Sequence, residues 1–215
     1  MNYTKTIREY CKQNAGKIFD VSYEIKYHFD MVPYKTLLKV LNRLEEEGIV
    51  KTISKGVYLI NSDKIVGDPI INHYAGKGRG FVIGYSMYNK YGITDYQEKP
   101  VVILTNVMET TTKNIGDEYM LINFPVKIIY DGIQHITEAL EIIDNSSKII
   151  DKNEGAVAET LIKLLARYTD FEFKSIIKAR HYQFSTICTL ETVLKDLNIS
   201  NSAVRIYKEV CLSNA

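Results

Sequence analysis

The sequence predicts an α+β fold: an N-terminal helix-and-hairpin module, a mixed α/β region, and a helical bundle at the end. Three observations carry this reading. Residues 33–60 switch from a helical period to a strand-like one. Residues 99–107 (Lys-Pro-Val-Val-Ile-Leu-Thr-Asn-Val) are nearly all apolar, as in a strand buried on both faces. After residue 131, five amphipathic segments follow one another across short polar links, which is the pattern of packed neighbouring helices. The expected division is 1–63 and 64–215, with strands over about 81–130 and helices over about 133–211.

Taken in order, Thr4 is placed to cap a first helix over residues 5–13, with Ile7, Tyr10 and Cys11 turned inward. Residues 17–20 form a short extended segment that can pair with a later hairpin. Ser22 is placed to cap a short helix, 23–28, whose Ile25 faces the core. Residues 29–32 turn into the next helix. Pro33 suits its first turn, where a missing N–H costs nothing. Leu37, Val40, Leu41 and Leu44 then fall at i, i+3, i+4 and i+7 as one apolar stripe. Gly48 stands where a left-handed residue ends a helix. Ile49, Val50 and Ile53, then Val57, Tyr58, Leu59 and Ile60, read as two strands around a Ser54-Lys55-Gly56 turn. Helix, short strand, helix, helix, strand, strand is the order of a winged helix-turn-helix module.

The polar side of the 33–44 helix is informative. Tyr34, Lys35, Thr36, Lys39, Asn42 and Arg43 lie mostly off the leucine stripe, and no carboxylate interrupts them until Glu45. Cations, amides and phenols of this kind contact phosphate oxygens and base edges. Lys51, Thr52, Ser54 and Lys55 add a basic hairpin tip. The expected DNA-binding set is therefore Tyr34, Lys35, Thr36, Lys39, Asn42, Arg43, Lys51, Ser54 and Lys55. A solvated helix face beside an ordinary hairpin is the plainer alternative for each residue taken singly.

Residues 61–69 read as a connector. Gly76-Lys77-Gly78-Arg79-Gly80 is a basic loop that lacks the spacings of a phosphate-binding loop, so a tight connection is the expectation. Residues 81–85 read as an apolar strand or the lead into a helix, and 86–91 as a helix stopped by Gly92. Residues 108–113 read as a polar loop, and 119–124 and 126–130 as further strands. The five helices follow at 133–143, 156–168, 171–181, 185–197 and 202–211.

Composition bounds the partners. With 46% hydrophobic and 25% charged residues, the chain can build one large core or two small ones. Its net charge is +1, and residues 1–63 carry ten Lys/Arg against eight Asp/Glu. Affinity for a nucleic acid would come from local patches and dimerisation, not from bulk charge. Cys11, Cys188 and Cys211 are too few and too scattered for a disulfide framework or a zinc site, and suit a reducing cytosol. No apolar run is long enough for a bilayer, and no signal-peptide layout is present. Sixteen tyrosines and no tryptophan imply many half-buried phenols with polar partners.

No catalytic constellation, cofactor motif or metal site emerges. His28, His73, His135 and His181 share no ligand spacing. The carboxylates over 138–159 read as a solvated, salt-bridged helix face. Cys188 reads as core.

Two stretches carry a resemblance. Leu41-Asn42-Arg43-Leu44-Glu45-Glu46-Glu47-Gly48-Ile49-Val50-Lys51, with Lys55-Gly56-Val57-Tyr58, resembles the N-terminal winged helix of AbiEi-type antitoxins and transcriptional regulators. Residues 81–94, from Phe81-Val82-Ile83-Gly84-Tyr85 to Gly92-Ile93-Thr94, are similar to the segment that follows in that family. Lys51 and Lys55 stand where the family has arginines, which keeps the charge but loses the bidentate fork. The resemblance implies a cytoplasmic bacterial antitoxin of a type IV toxin–antitoxin pair. It would bind inverted repeats in its own promoter as a repressor, possible as a homodimer on DNA, and counteract a nucleotidyltransferase-like toxin. The alternatives are a winged-helix regulator with a ligand-sensing or dimerisation region and no toxin partner, and an enzyme guided to nucleic acid by its winged helix.

Overall fold

A computed structural model describes residues 3–76 and 78–213 of this mixed α+β chain, which contains two small sheets. The first elements are α1 (Tyr3–Gln13), β1 (Ile18–Asp20), α2 (Val21–Tyr27), α3 (Tyr34–Glu46), β2 (Val50–Ser54) and β3 (Val57–Ile60). The strands form an antiparallel sheet with β3 in the middle, order β1-β3-β2. Leu37, Val40, Leu41 and Leu44 are buried against Ile7, Phe19, Phe29 and Ile60. Gly48 adopts φ +70 where α3 hands over to the hairpin, and its carbonyl accepts from Asn61 Nδ2 at 2.7 Å.

Two start signals differ from expectation. Thr4 lies inside α1, one residue after its start. Asp20, not Ser22, caps α2: its Oδ1 accepts from the amides of Ser22 at 2.9 Å and Tyr23 at 3.4 Å. Asp20 closes β1 in extended geometry (φ −88, ψ 115), which brings its carboxylate over the first free N–H groups of the helix.

The second sheet follows α4 (Pro69–Tyr74). It comprises β4 (Gly80–Ile83), β5 (Val101–Thr105), β6 (Thr112–Ile115) and β7 (Tyr119–Asn123), in the order β4-β5-β7-β6; α5 (Tyr85–Lys90) follows β4. β5 runs parallel to β7 and antiparallel to β4. Along β5, Leu104 joins the core shared with the helical end, while Ile103 packs toward Ile18 and Val57 of the first sheet. Both faces are covered, which is why the first four residues of β5 are apolar.

Two expectations for this region need correction. The expected polar loop at 108–113 runs into the edge strand β6, whose Thr-Lys-Asn-Ile sequence buries only Ile115. Edge strands tolerate such polar runs because one side meets water. Residues 126–130, expected as a strand, are not one. They follow Pro125, leave Ile128 63% exposed, and tie back through Ile129 N to Gly78 O at 3.3 Å.

All five expected helices form: α6 (Asp131–Asn145), α7 (Glu154–Leu165), α8 (Asp170–Ala179), α9 (Phe184–Asp196) and α10 (Ala203–Ser213). Cys188, expected in the core, is only half-buried on α9. The carboxylates of α6 are not a solvated face. Glu138 and Glu141 are 1% and 4% exposed. Glu141 Oε1 accepts from Arg180 Nε at 2.8 Å and from the Tyr182 hydroxyl at 2.8 Å. Glu138 accepts from the Tyr91 hydroxyl at 2.6 Å and from Gln134 Nε2 at 2.8 Å. Periodicity marks α6 as amphipathic but does not reveal that donors arrive from Tyr91, just past α5, and from the 180–182 turn.

The seam between the first sheet and the second has its own polar lock. Asp20 Oδ2 accepts from the Tyr74 hydroxyl at 2.5 Å and from Lys113 Nζ at 3.1 Å. His73 is buried beside it, and burial together with the Arg79 charge pushes its imidazole down to about 4.

Two outcomes follow. Arg180→Ala leaves Glu141 buried without its cation. It lowers the unfolding free energy by about 2 kcal/mol in urea denaturation, less than the roughly 3–5 expected of a fully enclosed pair, because the Arg180 side chain is 28% exposed. His73 binds a proton less readily folded than unfolded, so stability falls as pH drops from about 6.5 toward 4. Across that window the wild type loses about 3 kcal/mol more than His73→Leu, read as the difference in pH slope of denaturant midpoints.

Candidate nucleic-acid interface

Helix α3 presents two faces of opposite character. Its apolar stripe is sealed in the N-terminal core, so the residues between the stripe positions must face outward. Tyr34, Lys35, Lys39, Asn42 and Arg43 are exposed there, Tyr34 at 56%. Lys35, Lys39 and Arg43 recur every four residues and so line up along one edge of the helix. Thr36 is half-buried at the margin.

The hairpin carries Lys51 on β2 and Lys55 in the turn, both exposed; Lys51 pairs with Leu59 and so lies on the face of the sheet away from α3. Among the described residues none of Lys35, Lys39, Arg43, Lys51 and Lys55 forms an ion pair. Two of the three carboxylates at the end of α3 are engaged elsewhere. Glu45 Oε1 accepts from Thr52 N at 2.7 Å, and the hydrogen bonds from Thr52 hold its carboxyl below the usual range. Glu47 is gripped by both terminal nitrogens of Arg8. Glu45 and Glu46 keep their charges, but the five cations outnumber them, so α3 and the hairpin carry net positive charge although residues 1–63 are only mildly basic. A helix about 10–12 Å across matches a major groove about 12 Å wide.

Ser54 behaves differently from the rest of the expected set. It is half-buried, and its hydroxyl donates to Asn114 O of β6 at 3.4 Å. The hairpin tip thus leans on the second sheet while Lys55 stays in solvent. Further links on this side are Lys26 Nζ to Glu109 at 3.1 Å and the Arg79 guanidinium 4.9 Å from the centre of the Tyr23 ring. The second region lies against α2, β1 and the hairpin tip, and the outer face of α3 stays open to solvent.

Sequence reasoning missed Glu24, His73 and Arg79 as a group. Glu24 stands far from His73 and Arg79 in the chain and meets them only at the seam. The one signal available in the sequence is the basic Gly76–Gly80 loop. Gly80 is there for close approach: an added Cβ would meet Leu104 O at 2.2 Å and Tyr74 O at 2.3 Å.

Among the described residues no three His, Cys, Asp or Glu side chains gather as a metal would require, and no helix is long and apolar enough to cross a membrane. No family model and no curated protein matches the chain.

Proposed function

We propose that the chain binds double-stranded DNA through a winged helix-turn-helix at its N-terminus. In this reading it represses its own promoter and is the antitoxin of a type IV toxin–antitoxin pair. The observation that carries the DNA reading is the row of exposed cations on the outer edge of α3, followed in the chain by two exposed hairpin lysines. Support also comes from the element order and from the β1-β3-β2 sheet, which has the hairpin at its edge.

In this mechanism α3 enters the major groove. Lys35, Lys39 and Arg43 take phosphates or guanine edges, and Asn42 and Tyr34 reach bases. Lys51 and Lys55 hold the adjacent backbone or minor groove, as wings do. Two copies on inverted repeats would double a modest single-module charge. The antitoxin role, with a nucleotidyltransferase-like toxin as its counterpart, rests on the resemblance of residues 81–94. A second reading, a winged-helix regulator that senses a small molecule and has no toxin, is favoured by a cavity at the seam between the two sheets.

Lys39→Ala combined with Arg43→Ala weakens binding to the DNA upstream of the chain's own gene by tenfold or more, measured by gel shift or anisotropy. The salt slope falls by about one for each lost phosphate contact. Unchanged binding and slope would remove α3 from the interface. Co-expressing the full chain with the neighbouring reading frame tests the antitoxin role separately. The expected result is relief of growth arrest, and persistent arrest would leave the regulator reading in its place.

A further inference from the structure

A cavity of about 460 Å³ opens where α1, α2 and the start of β1 meet α4 and the loop before β4. Its size falls within the roughly 300–1,000 Å³ of small-molecule sites. Its walls differ in kind. Inside are the Glu24 carboxyl, 3% exposed, and the His73 ring, 8% exposed. Glu24 Oε2 lies 2.8 Å from His28 Nδ1. His73 Nε2 is buried and has no hydrogen-bond partner among the described residues. A buried imidazole nitrogen left without a partner is uncommon in a folded protein.

At the rim stand Lys17, Lys64 and Arg79, and none of them forms an ion pair with a carboxylate among the described residues. Lys17 Nζ is held by Asn14 Oδ1 at 2.9 Å, and Arg79 by the face of Tyr23. Between rim and interior the wall includes apolar surface from Ile18, Pro69 and the Tyr10 ring. The arrangement asks for a ligand with three parts: an anionic head for the rim cations, a flat apolar body for the wall, and a polar edge for Glu24 and His73. A sugar phosphate or an amino acid lacks the flat body and would leave much of the volume empty.

We propose that this cavity binds a nucleoside monophosphate, with its phosphate on Lys17, Lys64 and Arg79 and its base edge on Glu24 and the free nitrogen of His73. The site does not depend on the DNA reading. Its two walls belong to opposite sides of the seam, so an occupant bridges the N-terminal module and the second sheet and strengthens their docking. Burial keeps the His73 ring neutral near pH 7, so it meets the base as a hydrogen-bonding group and not as a charge.

The test is calorimetric titration of the full chain, without DNA, with AMP, GMP, CMP and UMP separately. Inorganic phosphate and the parent nucleosides are run beside them. At least one nucleotide binds at one site per chain, and phosphate and nucleoside alone bind about tenfold more weakly or worse. Lys64→Gln, at the exposed rim, and His73→Leu, in the interior, each weaken that nucleotide about tenfold. Lys17→Gln, also exposed, replaces His73→Leu if the latter fails to fold. The proposal is overturned if no nucleotide binds at millimolar concentration, if phosphate alone binds as tightly, or if the substitutions leave affinity unchanged.

Discussion

The Asp20 carboxylate fixes the relation between the two halves of the molecule. It is 4% exposed. One oxygen caps α2, and the other accepts from Tyr74 and Lys113 on the far side of the seam. A buried carboxylate is tolerable only when its lone pairs are filled, and here donors from three places fill them. The group that starts α2 is therefore the one that docks it. Because α3 follows α2 after a short turn, the direction of its cationic edge is inherited from this carboxylate. Ile18 and Val57, packed on Ile103 and Leu121, supply the apolar half of the same seam.

Helical elements were legible because their period is local. The leucine stripe of α3 and the five helices from α6 to α10 needed only their own spacing to be found. The cationic edge of α3 was legible for the same reason, since a sealed stripe dictates the opposite face. What escaped was everything decided by a distant partner. Ser54 looked available for a ligand until the register of β6 placed Asn114 O beside it. Glu138 and Glu141 looked like surface charges until Tyr91, Arg180 and Tyr182 were brought to them by packing. Residues 126–130 had alternating character, but with Pro125 before them they cross to α6 instead of joining the sheet. Glu24 becomes a neighbour of His73 and Arg79 only after docking.

The unusual tyrosine content has a common use. Hydroxyls of Tyr74, Tyr91, Tyr119, Tyr130, Tyr168 and Tyr182 all donate to carboxylates. Such a bond anchors a carboxylate inside or at the margin of the core, beside a cation at Asp20 and Glu141 and without one among the described residues at Glu138, Asp68, Glu172 and Asp170, while the phenyl ring fills apolar space. The phenols are held well above their ordinary pKa by burial and by the adjoining carboxylates, so they remain donors at any physiological pH.

The order of strands in the second sheet has a consequence for biogenesis. β7 comes last in sequence yet lies between β5 and β6, so neither neighbour has its full set of ladder partners until residue 123 has left the ribosome. The apolar surface that receives Ile18 and Val57 includes Leu121, a residue of that late strand. During synthesis the first sixty residues therefore emerge well before their landing site is finished. They must hold themselves together on their own small core, Ile7 to Ile60, or wait exposed to chaperones.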